Sequence, residues 1–501
     1  MSLDRRDFLA YTGFATGLLV LGDLPQSLAQ DTPPPGKPKS PFLEGNFAPV
    51  HEEVTADDLP VIGKLPAELD GMFVRNGPNP QFPPKGQYHW FDGDGMLHGV
   101  RIQGGRASYR NRYVRTAGWE AEAKAGKALF GGLADRPDLA KVMAGESPFK
   151  NAANTALVWH DGRLLALWEA GLPHAIRVPS LETVGPYNYG GKLKHPFTAH
   201  PKVDPETGEM FLFGYQFMAK PYVQYSVVNS QGELVRTVPI DIPQPVMMHD
   251  FALSERHAIF MDLPELFDLR RAMAGKHPLW FDKERAARFG ILPRHGAAGD
   301  IRWFEAPPCY VFHVLNAYDD GDEVVLQACR SPEFPDILEF GTAHPSDEGG
   351  AQNRTVLYQW RFNLRTGRVA EGPLDDRSTE FPRVNDQRLG RRTRFGYAGQ
   401  VGAGAGFSGL VKYDLDKGQA EQHDHGQGRF GGEGVFVPRP DAAAEDAGWL
   451  ITFIHDDAAG KSELVVVDAQ DFKAKPVARI VMPQRVPYGF HGAWVEGKHL
   501  G

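Results

Sequence analysis

The chain has 501 residues, 42% of them hydrophobic and 23% charged, which is enough apolar material for a large buried core. A formal net charge of -9, with no basic tract interleaved with aromatics, argues against a nucleic-acid partner. Glycine (56) and proline (40), scattered along the chain, predict many short strands and turns in place of long helices.

The first residues read as an address. Arg5 and Arg6 precede Asp7, Phe8 and Leu9, an apolar run follows over residues 10–21, and Ser27-Leu28-Ala29 offers a small-x-small cleavage pattern. Residues 1–29 resemble a twin-arginine export signal cut after Ala29, which implies the twin-arginine export machinery as a partner and a periplasmic destination. The apolar run is shorter than the roughly 20 residues of a membrane span. Residues 30–41 form a proline-rich, extended leader, and residues 42–501 are expected to fold as one domain.

From Phe42 onward one theme repeats: a short apolar run, a turn rich in Asp, Gly or Asn, another short run. Turns at residues 204–208, 229–232, 365–367, 414–418 and 458–461 each lead into such a run. Hairpins spaced this evenly predict an all-β fold built by radial repetition, a β-propeller, which leaves few sheet edges exposed. Two helical insertions interrupt the rhythm. Residues 118–141 are expected to be helical with a break at Gly131-Gly132. Residues 264–275 are expected to form a short amphipathic piece carrying Leu266, Phe267, Leu269 and Met273, which packs on the body or makes a peripheral membrane contact.

Residues 301–330 read as two strands joined by an acidic turn at Asp319, Asp320, Gly321 and Asp322. Alternation in the first strand places Cys309, Val311, His313 and Leu315 on one face, so His313 is an imidazole among apolar neighbours. Pairing about Asp320-Gly321 sets Cys329 opposite residue 312. That leaves Cys309 on the order of 10 Å along the ladder, too far for a disulfide, and predicts two free, buried thiols.

His313 has counterparts. Of 18 histidines, His200, His249 and His491 share its setting of apolar or small neighbours and turns. They are too far apart for a zinc-finger pattern, and neither CxxC nor HExxH occurs. Single ligands distant in sequence are what the axis of a propeller collects, and all-nitrogen ligation suits Fe(II), Zn(II) or Cu(II) better than Mg or Ca. His423 and His425 lie in a polar, turn-like run expected to be a solvated loop. His89 and His98 belong to turn chemistry around Asp92 and Asp94, and His455, before two aspartates, is a rival ligand. The glycine-rich residues 401–406 lack a βαβ setting and read as a loop, so no nucleotide cofactor is expected.

The order of several short motifs resembles the carotenoid cleavage oxygenase family, which also contains the stilbenoid-cleaving dioxygenases. They are Phe73-Val-Arg-Asn-Gly-Pro-Asn-Pro80, Trp90-Phe-Asp-Gly-Asp-Gly-Met-Leu-His98, Thr198-Ala-His200-Pro, His249-Asp-Phe251, Ile301-Arg-Trp-Phe-Glu305, Phe312-His313, Phe381-Pro-Arg383, Gly432-Glu433 and Arg485-Val-Pro-Tyr-Gly-Phe-His491-Gly. The resemblance implies a seven-bladed propeller whose insertions roof an axial Fe(2+). It assigns His200, His249, His313 and His491 as iron ligands and Glu169, Glu380 and Glu433 as the carboxylates behind them. The physics agrees, since a ligand histidine needs an acceptor on its other ring N–H to set tautomer and direction. Which glutamate serves which histidine is left open.

The implied reaction adds both oxygens of O2 across one conjugated C=C bond of a hydrophobic substrate in an apolar, aromatic-lined tunnel, giving two carbonyl products. A stilbenoid would need a Tyr and a Lys to bind and activate its phenol, and Tyr113 and Lys150 are the candidates. The motifs around residues 287–293 and 301–305 read closer to the carotenoid-cleaving branch, which is the expected substrate class. The stilbenoid branch is the alternative, and an isomerising or non-catalytic isoprenoid-binding propeller a further one.

Overall fold

The computed structural model describes residues 40–133, 135, 149–274, 276–334, 354–402 and 406–500. The export signal, most of the proline-rich leader, and parts of both expected helical insertions lie outside these residues.

The strands group into seven successive blades. Blades two, three and four are separate four-stranded antiparallel sheets beginning at Ala156–His160, Lys202–Val203 and Ala252–Leu253. Blades five, six and seven begin with Tyr310–Asp320, the second half of Val369–Arg383, and Val435–Pro438. Val369–Arg383 runs on from one blade into the next, pairing first with Val356–Asn363 and then with Phe395–Val401. The first blade is completed by the end of the chain, because Gly492–Glu496 pairs with Gly71–Pro78. Reciprocally, Val61–Gly63 from the N-terminal side pairs with Ala478–Val481 at the edge of blade seven. Both ends of the domain thus close the ring, which removes the edges an open sheet would expose.

Large apolar side chains fill the spaces between blades. Phe289 of blade four packs with its ring 5.3 Å from Trp360 and 5.1 Å from Phe362 of blade five. All three are fully buried, and each such burial contributes about 1.5–3 kcal/mol. The turns expected from Asp, Asn and Gly signals join the strands within blades three, five, six and seven.

Three local expectations need correction. The helix spans Ala117–Ala125, with Gly118 in its first turn, and ends at Gly126, whose φ of 66° caps it five residues before Gly131. The piece after Pro264 opens as a strand, Glu265–Phe267, paired with Leu279–Phe281, with a helical turn at Leu269–Met273. Phe267 stacks on Phe217 at 4.5 Å, so its ring packs on the body. The hairpin turns one residue later than expected, with Asp320 opposite Glu323 and Gly321 at φ 62°.

The same hairpin carries a bulge. Val311 pairs with Arg330 and Val314 with Ala328, so Phe312 and His313 together face Cys329. Simple alternation therefore fails at His313, because the extra residue re-aims the side chains on either side of it. Cys309 and Cys329 are free and buried, as expected.

Candidate metal centre

Three of the histidines sit at or just before the strand that begins their blade, and His491 just before the strand that completes blade one. His200 precedes Lys202–Val203, His249 precedes Ala252–Leu253, His491 precedes Gly492–Glu496, and His313 lies in the bulged strand Tyr310–Asp320. Ring closure brings these four strands together, and one nitrogen from each imidazole falls within 4.8 Å of all the others. The Nε2 atoms of His200 and His249 stand 2.9 Å apart.

Each of the three glutamates serves one histidine. Nδ1 of His249 donates to Glu169 at 2.6 Å, Nδ1 of His313 to Glu380 at 2.6 Å, and Nδ1 of His491 to Glu433 at 2.9 Å. Donation from Nδ1 leaves Nε2 as the lone-pair nitrogen, which is the tautomer a metal requires. The carboxylates are themselves tied. Tyr215 Oη donates to Glu169 at 2.9 Å, the Phe381 N–H to Glu380 at 2.7 Å, and the Gly492 N–H to Glu433 at 2.8 Å.

Burial and neighbouring charges shift the pKa values of His491, His200 and His249. It drives the His491 pKa down to about 4 against the pull of Glu433. His200 is pushed well below its ordinary value by burial and by the other three rings. His249 moves the other way: burial pulls it down most strongly of any one cause, but Glu169, Asp250 and Glu380 together raise it. Burial alone would raise Glu433, but the Arg383 guanidinium, His491 and the Gly492 amide together hold its pKa at about 2.

The residues fit a metal ion. Nε2 of His313 is buried with no hydrogen-bond partner, a cost of about 1–3 kcal/mol for a polar group left unsatisfied. A shared proton would reconcile one pair of nitrogens, whereas four converging lone pairs call for a cation. Neutral imidazoles suit a borderline transition ion.

Aromatic rings wall the centre. Phe312 lies 5.4 Å from the His249 ring, and Phe381 lies 5.0 Å from His313 and 4.7 Å from His491. Phe381 has a φ of 52°, a conformation costing about 1–3 kcal/mol in a bulky residue. Its N–H bond to Glu380 helps hold it there. The Phe381-Pro-Arg383 motif was visible in the sequence, but the placement of Phe381 beside two of the four histidines and of Arg383 3.6 Å from Glu433 was not. Nothing in the sequence marked Tyr215.

Tyr113 and Lys150 are engaged elsewhere. Tyr113 Oη accepts from Asn79 at 2.6 Å, and Lys150 Nζ lies 2.6 Å from both Asp94 and Glu122. Lys150 lines a cavity with Phe91, Asp92, Asp94, Glu122 and Trp168; Tyr113 is not in its wall. His455 bonds Ser462 at 3.2 Å and is not one of the four. His423 and His425 correct an expectation: His423 is the one buried residue of the otherwise exposed or half-buried strand Gln419–Asp424, its Nδ1 bonded to the Phe472 carbonyl at 3.0 Å, and His425, just beyond that strand, is buried as well. His89 caps the turn Trp90–Asp92 and His98 bonds Tyr109.

A seven-bladed ring with four histidines at its axis and a carboxylate behind three of them defines a class of axial metal proteins. The chain belongs to the RPE65/carotenoid cleavage oxygenase family: residues 47–496 match the family model described as retinal pigment epithelial membrane protein. It is 44% identical to carotenoid 9,10(9',10')-cleavage dioxygenase 1 of Pisum sativum, across 92% of this chain and 90% of that one. It is 36% identical to the carotenoid cleavage oxygenase of Mycobacterium tuberculosis, across 91% and 97%. Among solved structures, the lignostilbene dioxygenase of Pseudomonas brassicacearum superposes with a TM-score of 0.83 at 31% identity, covering 92% of this chain and all of that one. Cobalt-substituted Synechocystis ACO gives 0.79 at 28% identity, covering 89% and 97%.

Proposed function

We propose that this protein is a non-haem Fe(II) dioxygenase that cleaves one conjugated C=C bond of a carotenoid or apocarotenoid. The observation that carries the reading is the convergence of four imidazole nitrogens, three of them oriented by buried glutamates. Relatives at 42–44% identity are named as 9,10(9',10')-cleavage enzymes, which supports that bond of the polyene as the one attacked.

The iron would be held by His200, His249, His313 and His491, and when bound it supplies a site at which O2 and the alkene exchange electrons. Both oxygen atoms enter the products and the alkene supplies the electrons, so C=C plus O2 gives two C=O groups and no reductant is consumed. The chain's own contribution is positional. Glu169, Glu380 and Glu433 keep the Nδ1 protons in place and leave the Nε2 lone pairs free. Phe312 and Phe381 offer flat apolar faces to a polyene and exclude water from the ligands.

The lignostilbene dioxygenase fold match supports a stilbenoid as the second reading. Against it, the Tyr113 hydroxyl is held by Asn79 and lies outside the wall of the cavity that Lys150 lines, so the two do not converge on one phenol. The test is aerobic incubation of the iron-loaded protein with an apocarotenoid in detergent and, separately, with a resveratrol-type stilbenoid under 18O2. Apocarotenoid cleavage with label in both carbonyl products is expected. Stilbenoid cleavage alone would replace the substrate, and absence of oxygen uptake with either would leave isomerisation or ligand binding.

Export belongs to the same proposal. Arg5-Arg6 ahead of a short apolar run supports a twin-arginine route to the periplasm, and a mature N-terminus at Gln30 in that fraction would test it; a cytoplasmic protein retaining residues 1–29 would count against it. A polyene that resides in lipid supports a peripheral membrane contact during substrate uptake. Co-sedimentation with liposomes checks this, and protein left wholly in the supernatant would refute it.

A further inference from the structure

Three of the four histidines have a carboxylate on Nδ1. Among the described residues none serves His200, whose own backbone N–H is held only locally, by Thr198 Oγ1 at 2.9 Å. His200, whose ring lies 4.5 Å, 5.1 Å and 4.7 Å from the other three, is thus the one without a direct brace.

Its strand is braced instead at the next inward position. Lys202, two residues after His200, places its ammonium 2.8 Å from Asp250 Oδ1. Asp250 is the residue after His249, and its Oδ2 accepts the N–H of Val314, the residue after His313, at 2.9 Å. Val314 lies at the bulge that re-aims His313. The Asp250 side chain is 2% exposed and that of Lys202 13%, so water competes little for either. One carboxylate therefore ties together residues one or two positions from three of the histidines, which come from three different blades.

We propose that Asp250 is a positioning residue for the metal centre, setting His200 against His249 and His313 in place of a fourth glutamate. The inference rests on the metal reading of the four histidines. Asp250 touches neither substrate nor metal in this scheme; it acts through the backbone at Val314 and through Lys202. A group that served only to satisfy buried polar atoms would affect unfolding and leave the ligand geometry unchanged, which gives the two roles different signatures.

The test uses Co(II), whose visible absorption reports ligand number and geometry, loaded into the metal-free full chain. Asp250→Asn keeps the side-chain shape and an acceptor for Val314 but loses the ion pair. It is expected to bind Co(II) at least about tenfold more weakly, with band positions and intensities that differ from the parent's. The double variant Asp250→Asn, Lys202→Met strands no charge; it is expected to recover unfolding temperature while keeping the altered spectrum. Lys202→Arg retains the pair and is expected to give the parent spectrum. Asp250→Asn and the double variant matching the parent in spectrum, and in affinity to within about twofold, would overturn the proposal. Should Asp250→Asn not fold, the double variant decides. Should neither fold, Lys202→Met alone decides, with a parent-like spectrum counting against the strut. A parent that takes up no cobalt overturns the metal reading itself, and the strut with it.

Discussion

The four-histidine centre and the Lys150 cluster are both buried groups of titratable side chains, and they are built in opposite ways. Around Lys150 one ammonium is shared by two buried carboxylates within the cluster. The ammonium pairs with Asp94 and Glu122, Glu122 also accepts the Leu129 N–H at 2.8 Å, and Asp94 accepts the Gln81 N–H at 3.0 Å. The result anchors the helix Ala117–Ala125 and the loop after it to blade one. At the axis, by contrast, carboxylates answer three outer nitrogens while the inner nitrogens converge on one another. A network that closes on itself stabilises, whereas one that ends in unshared lone pairs is shaped for something absent from the polypeptide.

The largest expected effect lies at the axis. His313→Ala removes one ligand of four and should abolish metal binding and turnover together, read by metal analysis and oxygen uptake. A variant that turns over without metal would remove the axial centre from the account.

The reverse is expected at Lys150. Lys150→Met leaves two buried carboxylates without their cation and should cost about 3–5 kcal/mol of stability, measured by urea unfolding. Turnover of an apocarotenoid per folded molecule should stay close to the parent's. Unchanged stability with selective loss of a phenolic substrate would erase the contrast between the two regions and revive the stilbenoid role for this lysine.

A smaller, pH-dependent effect would sharpen the comparison. Glu433 has its pKa held at about 2, below the ordinary value of 4.5, by Arg383, His491 and the Gly492 amide. Its charged form is thus favoured in the folded state. The stability it contributes is present above about pH 4.5 and is lost as the pH falls toward 2, by about 3 kcal/mol over that window. Glu433→Gln should flatten the stability profile of the metal-free protein there. An unchanged acid limb in that variant would place the titration elsewhere.

Much of the centre was legible in the sequence because its parts recur in similar settings. Each ligand histidine lies among apolar or small residues near a strand start, and the motifs stand in a characteristic order. His423 and His425 misled because a polar run is also the pattern of an outer strand that faces solvent, and local sequence did not say that these two rings alone would be buried. His313 was identified despite a faulty face assignment. Alternation assumes an unbroken ladder, and the bulge opposite Cys329 breaks it. The helix boundary failed because any of several glycines could cap it, and local sequence did not say that Gly126 would.

The sequence by itself determined the inventory of this protein: short strands punctuated by turn residues, two thiols, four metal-type histidines and three glutamates in family motifs. Those depend on local chemistry, where hydrophobic period, turn propensity and ligand type are written in neighbouring residues. Only the tertiary structure decided that Glu169 serves His249, Glu380 serves His313, Glu433 serves His491, and Asp250 joins three blades. The glutamate–histidine pairs lie 58 to 80 residues apart in the chain. Their contact exists because ring closure brings the first strands of separate blades to a common axis, a condition no local stretch of sequence contains.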